Sequence, residues 1–221
     1  MTLKLHFHPL ASFCWKVLIA LYENDTPFEP VIVDLGDEKS RAAFFKLWPH
    51  GKFPLLQDSS RGRLLPESAI IIDYLDQYYP GRVTFIPDDR DLAREARLVD
   101  QFYDRYVHEQ MQKIVADKIR PEGSKDPYGV QQARDTLAAS YPMIDADMRA
   151  KQWAAGETFT LGDCAAFPAL FYANKVEPFA GKYQHAARYL ERLSQRSSIK
   201  RVLSEARPYM PMFPFYRPGE D

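Results

Sequence analysis

Three short stretches carry residue types that could hold a small acidic peptide or stabilise a thiolate. In Gly51-Lys52-Phe53-Pro54-Leu55-Leu56 the residue before proline is pushed to extended geometry. Phe53 can therefore offer its backbone N–H and C=O sideways to a peptide-like ligand. Further on, Glu67-Ser68 opens a helical pattern in which Ile71, Leu75 and Tyr78 recur. Free N–H groups and the positive dipole end at such a start favour a carboxylate. The third stretch is Ala11-Ser12-Phe13-Cys14-Trp15-Lys16-Val17, where Ser12 and Cys14 fall in the first turn of a helix and a thiolate would be stabilised. The residue types leave two readings of each. Ser12 is a plain N-cap or a hydroxyl contact; Cys14 is a small buried hydrophobe or a reactive thiol; Glu67 and Ser68 are helix openers or ligand contacts.

The elements that must position these residues follow from hydrophobic periodicity. Leu3, Leu5 and Phe7 alternate with Lys4, His6 and His8 as a strand, and Pro9 stops it. A helix over 12–24 follows, with Val17, Leu18, Leu21 and Tyr22 on its apolar face. Val31-Ile32-Val33 reads as a buried strand and 40–48 as a helix. Arg61-Gly62-Arg63 is a tight connection between Leu55-Leu56 and Leu64-Leu65. The order is βαβ, a helix, ββ and a final helix to Tyr79. Pro80-Gly81 then breaks the chain. Beyond it strand signals vanish. Leu92, Ala96, Val99, Tyr103, Tyr106 and Gln110 recur at helical spacing, a long helix runs to Ala150, and shorter helices cover 163–174, 184–194 and 199–206. The expected architecture is an α/β thioredoxin-like N-terminal domain over 1–80 plus an all-α C-terminal helical domain over 88–221. The last stretch, 208–221, holds four prolines and is expected to lie extended.

Composition narrows the function classes. Hydrophobic residues make up 46% and aromatics 14% of 221 residues, enough to bury a core. The 29 basic and 30 acidic residues give a net charge of −1, and without a basic stripe nucleic acid is not expected as a partner. Cys14 and Cys164 have no metal-ligand or CxxC spacing, so no metal is expected and a reducing cytoplasm is the default. His6 and His8 lack a third ligand and read as a satisfied pair. No signal peptide or apolar membrane span is evident. Thr160-Leu161-Gly162-Asp163 before an apolar run reads as a structural capping box.

Taken in order, Phe7–Val17, Phe53-Pro54, Glu67-Ser68 and Thr160–Asp163 resemble the cytosolic glutathione transferase family, in its bacterial or plant-like serine or cysteine branch. The resemblance spans most of the chain. It implies a cis Phe53–Pro54 bond, the Phe53 backbone paired with the cysteinyl unit of glutathione, and Glu67 and Ser68 on the γ-glutamyl end. It also implies Lys39 and Lys52 on the glycyl carboxylate, as in the tau-like plant branch. Glutathione would be a co-substrate and the second substrate a small hydrophobic electrophile. Trp15, Tyr106 and Met111 would wall that electrophile's pocket, and the assembly would be a homodimer.

One departure from the family pattern concerns thiol activation. Aligning Lys16-Val17 with the family's basic-Val pair puts Ala11 at the usual serine position, leaving Ser12 and Cys14 as candidate activators. The implied function is a cytoplasmic glutathione S-transferase of detoxification type. The rivals are a glutathione-dependent isomerase or thiol-exchange enzyme, and a non-catalytic glutathione-binding or interaction protein.

Overall fold

The computed structural model describes residues 2–219; Met1, at the start of the expected N-terminal domain, and Glu220 and Asp221, at the end of the expected extended tail, lie outside them. The alternating pattern of strand β1 (Leu3–Phe7) buries Leu3, Leu5 and Phe7 and leaves Lys4 and His6 partly exposed. Strand β1 pairs in parallel with β2 (Glu29–Ile32) and antiparallel with β3 (Leu55–Asp58), which pairs antiparallel with β4 (Arg63–Pro66). The sheet order is β2-β1-β3-β4. Helix α1 (Ser12–Glu23) makes the crossover that the parallel β1–β2 pair requires. Helix α2 (Glu38–Leu47) starts two residues earlier than its apolar pattern suggests, because the Asp37 side chain accepts the Ser40 N–H at 2.7 Å. Helix α3 (Ser68–Tyr78) closes this thioredoxin-like domain.

The connection to the second domain is tied down. The Asn24 amide bonds both N–H and C=O of Val83 (2.8 and 2.9 Å), and Asp76 accepts the N–H groups of Phe85 and Ile86. An all-α domain follows. One long helix comprises α4 (Arg90–Phe102), a π-helical segment (Tyr103–His108) and α5 (Glu109–Ile119). Then come α6 (Pro127–Ala150), α7 (Leu161–Val176), α8 (Gln184–Ser194) and α9 (Ser197–Ala206). Helix α7 is apolar nearly all round and is the axis of the core, as expected of a helix enclosed on every side. Its capping box is present, and Asp163 does more than cap. It accepts Thr160 N–H at 2.8 Å, Ala154 N–H at 2.8 Å and the Tyr189 hydroxyl at 2.6 Å, all buried.

The C-terminal stretch corrects the sequence expectation. Residues Arg207–Met212 form a 3-10 turn continuing from α9, with Met210 and Phe213 buried. Pro208 falls in the first turn, where its missing N–H has no helical partner to lose. Phe213 then packs edge-on against Tyr172 at 5.0 Å.

Helix α1 is the seam between the domains. Tyr172 Oη donates to Leu10 C=O (2.9 Å), and Glu23 accepts Arg196 through both oxygens (2.8 and 2.6 Å) and Ser198. Lys16, fully buried, forms ion pairs of 2.7 Å with both Asp100 and Asp104. A buried ammonium is tolerable only with paired charges, so this triad fixes how α1 sits on the long helix.

Candidate active site

A cleft of about 820 Å³ opens between the two domains. On the thioredoxin-like side it is lined by Phe13, Trp48, Lys52, Phe53, Pro54, Glu67 and Ser68. The Phe53–Pro54 peptide is cis, as the resemblance implies. Among the described residues, no backbone hydrogen bond engages Phe53 and no hydrogen bond or ion pair engages the side chains of Lys52, Glu67 or Ser68. The N–H groups of the first turn of α3 likewise lack intrahelical partners. Glu67 stands at φ 69°, ψ 115°, directly before that helix. A non-glycine residue at positive φ costs on the order of 1–3 kcal/mol and persists where surrounding structure imposes it, often at ligand clamps. The cleft therefore presents an unpaired backbone edge, a helix start, a carboxylate, a hydroxyl and an ammonium.

The opposite wall comes from the long helix and the start of α6. Asp104, Arg105, Glu109, Gln112, Lys113 and Asp117 are its principal polar residues, with Ala116 and Val130 adding small apolar surface. Most of these went unnoticed in the sequence because they carry no local motif.

Ser12 lies just beneath Phe13, 5% exposed. Its hydroxyl makes a short contact with His108 Nε2 and accepts from Gln112 Nε2 at 3.4 Å. Phe13 stacks on the His108 ring at 3.9 Å between centroids. The ring is completely buried, and burial, reinforced by the Lys16 charge, holds its pKa well below the ordinary value. Burial also pushes Asp104 up to about 6 against the pull of Lys16. Lys16 itself feels burial as a lowering force, which the Asp104 and Asp100 carboxylates outweigh, so its pKa is raised. Ser12 is not an N-cap by side chain: Ala11 holds that position, and no side-chain cap bond is made.

Several expected site residues fall elsewhere. Cys14 is fully buried, and burial drives its thiol far above the usual range, which fits the reading of it as a small buried hydrophobe. Trp15 does not line the cleft. It is fully buried, donates its indole N–H to Pro9 C=O at 2.7 Å and packs on Phe167 and Tyr172. Met111 is 2% exposed in the core, and Tyr106 is turned outward at 53% exposure against Phe102. None of these three lines the cleft. Lys39 lies exposed on α2, also away from the cleft lining. His6 packs against Phe44, and His8 accepts the Leu10 N–H at 3.2 Å.

Such a fold and cleft define a class: two-domain proteins in which a thioredoxin-like domain presents an open backbone edge to an all-helical domain. Family models agree. "Glutathione S-transferase, N-terminal domain" matches residues 5–83, and "Glutathione S-transferase, C-terminal domain" matches residues 102–197. The chain belongs to the glutathione S-transferase family. A glutathione S-transferase of Pseudomonas putida is 25% identical over 217 residues, covering 96% of each chain. GstB of Escherichia coli is 24% identical, covering 85% of this chain and 91% of the relative. Among solved structures, a glutathione S-transferase from Methylobacillus flagellatus with GSH bound superposes with a TM-score of 0.82 at 25% identity, covering 90% of this chain and 98% of that one.

Proposed function

We propose that this protein is a glutathione transferase that binds glutathione along the Phe53–Pro54 edge and activates its thiol beside Ser12. The observation that carries this reading is the meeting, at one cleft, of an unpaired backbone edge and the Glu67–Ser68 helix start, with Phe13 and Gln112 in the same lining and the buried Ser12 hydroxyl directly behind them, in contact with Gln112. The γ-glutamyl end carries an ammonium and a carboxylate. Glu67 suits the first, and the Ser68 hydroxyl with the α3 N–H groups suits the second. Lys52 takes the glycyl carboxylate, with Lys39 an outer contributor from α2. Between these ends, the Phe53 N–H and C=O pair with the cysteinyl unit, leaving the sulfur toward the start of α1.

There the Ser12 hydroxyl and first-turn N–H groups stabilise the thiolate relative to the thiol, so the thiol proton is released to solvent at lower pH. The thiolate sulfur then forms a bond to an electrophilic carbon. With a halogenated aromatic, halide departs with the electron pair of the breaking bond. The charged wall around Lys113 and Asp117 favours an electrophile bearing polar substituents such as nitro groups, with its ring against Phe13, Ala116 and Val130. Thiol exchange through Cys14 is disfavoured by that residue's burial. Glutathione-dependent turnover of a chloronitroaromatic tests the reading.

A two-fold homodimer fits the exposed Leu64, Ile70 and Tyr78 on β4 and α3. No helix of the described residues is long and apolar enough to cross a membrane. A cytoplasmic location fits the two free, buried cysteines.

A further inference from the structure

The helical wall of the cleft carries both acids and bases, and most of them are satisfied within the protein. Glu109 holds Arg105 at 2.6 Å, and Asp104 holds Lys16 at 2.7 Å. Asp117 accepts the Asp126 N–H at 2.7 Å and stands 3.5 Å from Arg120, while Asp126 caps α6 through the Gly129 N–H at 2.8 Å. Lys113 is different. Its side chain lines the same cleft, yet it forms no ion pair with any described residue. The hydrogen bond it does make goes to a neutral acceptor, Gln110 Oε1, at 3.0 Å. That contact has a fixed direction. Gln110 is 8% exposed, and its side-chain nitrogen donates to the Arg105 carbonyl at 2.6 Å. A carbonyl can only accept, so the NH2 group faces Arg105 and the amide oxygen is turned to Lys113, one turn along the helix. The ammonium is thus held in place while its charge stays uncompensated. Of its three hydrogens, one is engaged and two remain.

We infer that Lys113 selects the second substrate by charge: the cleft takes an electrophile that carries a carboxylate, and that carboxylate sits on the Lys113 ammonium. The inference rests on the transferase reading and deepens it by naming the substrate class. Two remaining N–H donors match the two oxygens of one carboxylate. Ala116, one turn further along the helix, Val130 and Phe13 give apolar lining for the body of such a molecule. A cationic electrophile gains nothing from this wall, because its carboxylates already have partners. Lys52 belongs to the thioredoxin-like wall, so the glycyl carboxylate and the substrate carboxylate have separate lysines. In the reaction the carboxylate is a handle and stays intact. With a chlorodinitrobenzoate, the glutathione thiolate forms a sulfur–carbon bond at the ring carbon that bears chlorine. The C–Cl bond breaks, chloride leaves with its electron pair, and the thiol proton has already gone to solvent.

The test compares chlorodinitrobenzoate with the corresponding chlorodinitrobenzamide as electrophiles at saturating glutathione. The two share a ring and a leaving group and differ in charge, so the ratio of their kcat/KM values cancels any general effect of a substitution on folding or on the thiol. Lys113→Met should lower the benzoate-to-benzamide ratio by roughly tenfold, the loss of a hydrogen bond to a charged group, mostly through the KM for benzoate. Lys113→Arg, which keeps the cation, should retain most of the ratio. Glutathione affinity, measured by calorimetry, should stay within about twofold in both variants, since the contacts at Phe53, Glu67 and Ser68 are intact. An unchanged ratio in Lys113→Met, or turnover of the benzamide alone by the natural protein, overturns the inference and leaves the transferase reading standing. Equal losses for both electrophiles with weakened glutathione binding would place Lys113 on glutathione itself, and would overturn it too. No glutathione-dependent product from either electrophile in the natural protein would defeat the transferase reading and take the inference with it.

Discussion

Ser12 Oγ and His108 Nε2 are in direct hydrogen-bond contact across the seam between the two domains, with the ring of His108 wholly buried beneath Phe13. The contact joins the start of α1 to the π-helical segment of the long helix. A π segment holds an extra residue in its turn and is frequent at functional sites. Here it contributes both Asp104 and His108, the residues that meet Lys16 and Ser12.

Glu67 and Ser68 should carry much of the glutathione affinity. Hydrogen bonds to charged groups are worth about 1.5–3 kcal/mol, so Glu67→Gln or Ser68→Ala should weaken binding by roughly tenfold or more. Calorimetry with glutathione gives the answer directly. Unchanged affinity in both variants would move the γ-glutamyl end away from α3.

Lys16 should be a stability residue whose loss is severe. Lys16→Met leaves Asp100 and Asp104 buried without their cation, and breaking a buried ion pair from one side costs about 3–5 kcal/mol. Urea denaturation should show that loss. Replacing all three, with Asp100→Asn and Asp104→Asn added to Lys16→Met, should recover part of it. An effect within about 0.5 kcal/mol for Lys16→Met, the level of an ordinary surface change, would mean the triad is not buried in solution.

Asp58 sets an acid-side limit. It is fully buried and accepts from Tyr74 (2.7 Å), Tyr79 (2.5 Å) and Ser60 (2.6 Å). Burial alone would raise its pKa, but the Ser60, Tyr79 and Tyr74 hydrogen bonds outweigh this and bring it to about 2. A depressed folded-state pKa gives stability that is present above the unfolded value of 3.8 and lost as pH falls toward about 2. The amount is about 2 kcal/mol, from the shift at 1.36 kcal/mol per unit. Denaturation midpoints measured between about pH 5 and pH 2 should fall more steeply for the natural protein than for Asp58→Asn, which is less stable at neutral pH. Parallel curves would assign the acid sensitivity elsewhere.

A homodimer predicts a light-scattering mass near twice 25.6 kDa at micromolar concentration. Ile70→Asp, placing charge on an exposed apolar position of α3, should shift the mass toward the monomer. A natural protein already at the monomer mass would show that the exposed Leu64, Ile70 and Tyr78 serve no such interface.

Much of the fold was legible because it is written locally. Alternation in Leu3–Phe7, the Thr160–Asp163 box and the break at Pro80-Gly81 each act within a few residues, and all appear as read. The thioredoxin-like wall of the cleft was legible for the same reason, since Lys52, Phe53, Pro54, Glu67 and Ser68 are short-range features that line it together. Of the residues that recur at helical spacing along the long helix, Ala96, Tyr103 and Gln110 are buried while Leu92 and Tyr106 are exposed; the buried face also takes in Ala93, Asp100, Val107 and Met111, widened at the π segment by Asp104 and His108. Polar residues disguised the stripe, because a charge on an inner face looks like an outer face until its partner is known. The signal was present in two halves: a lysine inside the apolar helix α1, and Asp100, Asp104 and His108 at successive spacings of four. Nothing in either half specifies the contact between them. Gln112 carried no signal at all; only the approach of two distant helices gives it a role.

The most direct test of the account is glutathione conjugation of a chloronitroaromatic at neutral pH, comparing the natural protein with Ser12→Ala at matched glutathione saturation. The account predicts glutathione-dependent product from the natural protein. It also predicts that kcat/KM for the electrophile falls by at least about tenfold in Ser12→Ala, the loss of one hydrogen bond to a charged sulfur. Glutathione affinity should hold, and the loss should shrink as pH rises and the thiol ionises unaided. Equal rates in the two proteins across the pH range, or no glutathione-dependent product from either, would contradict it.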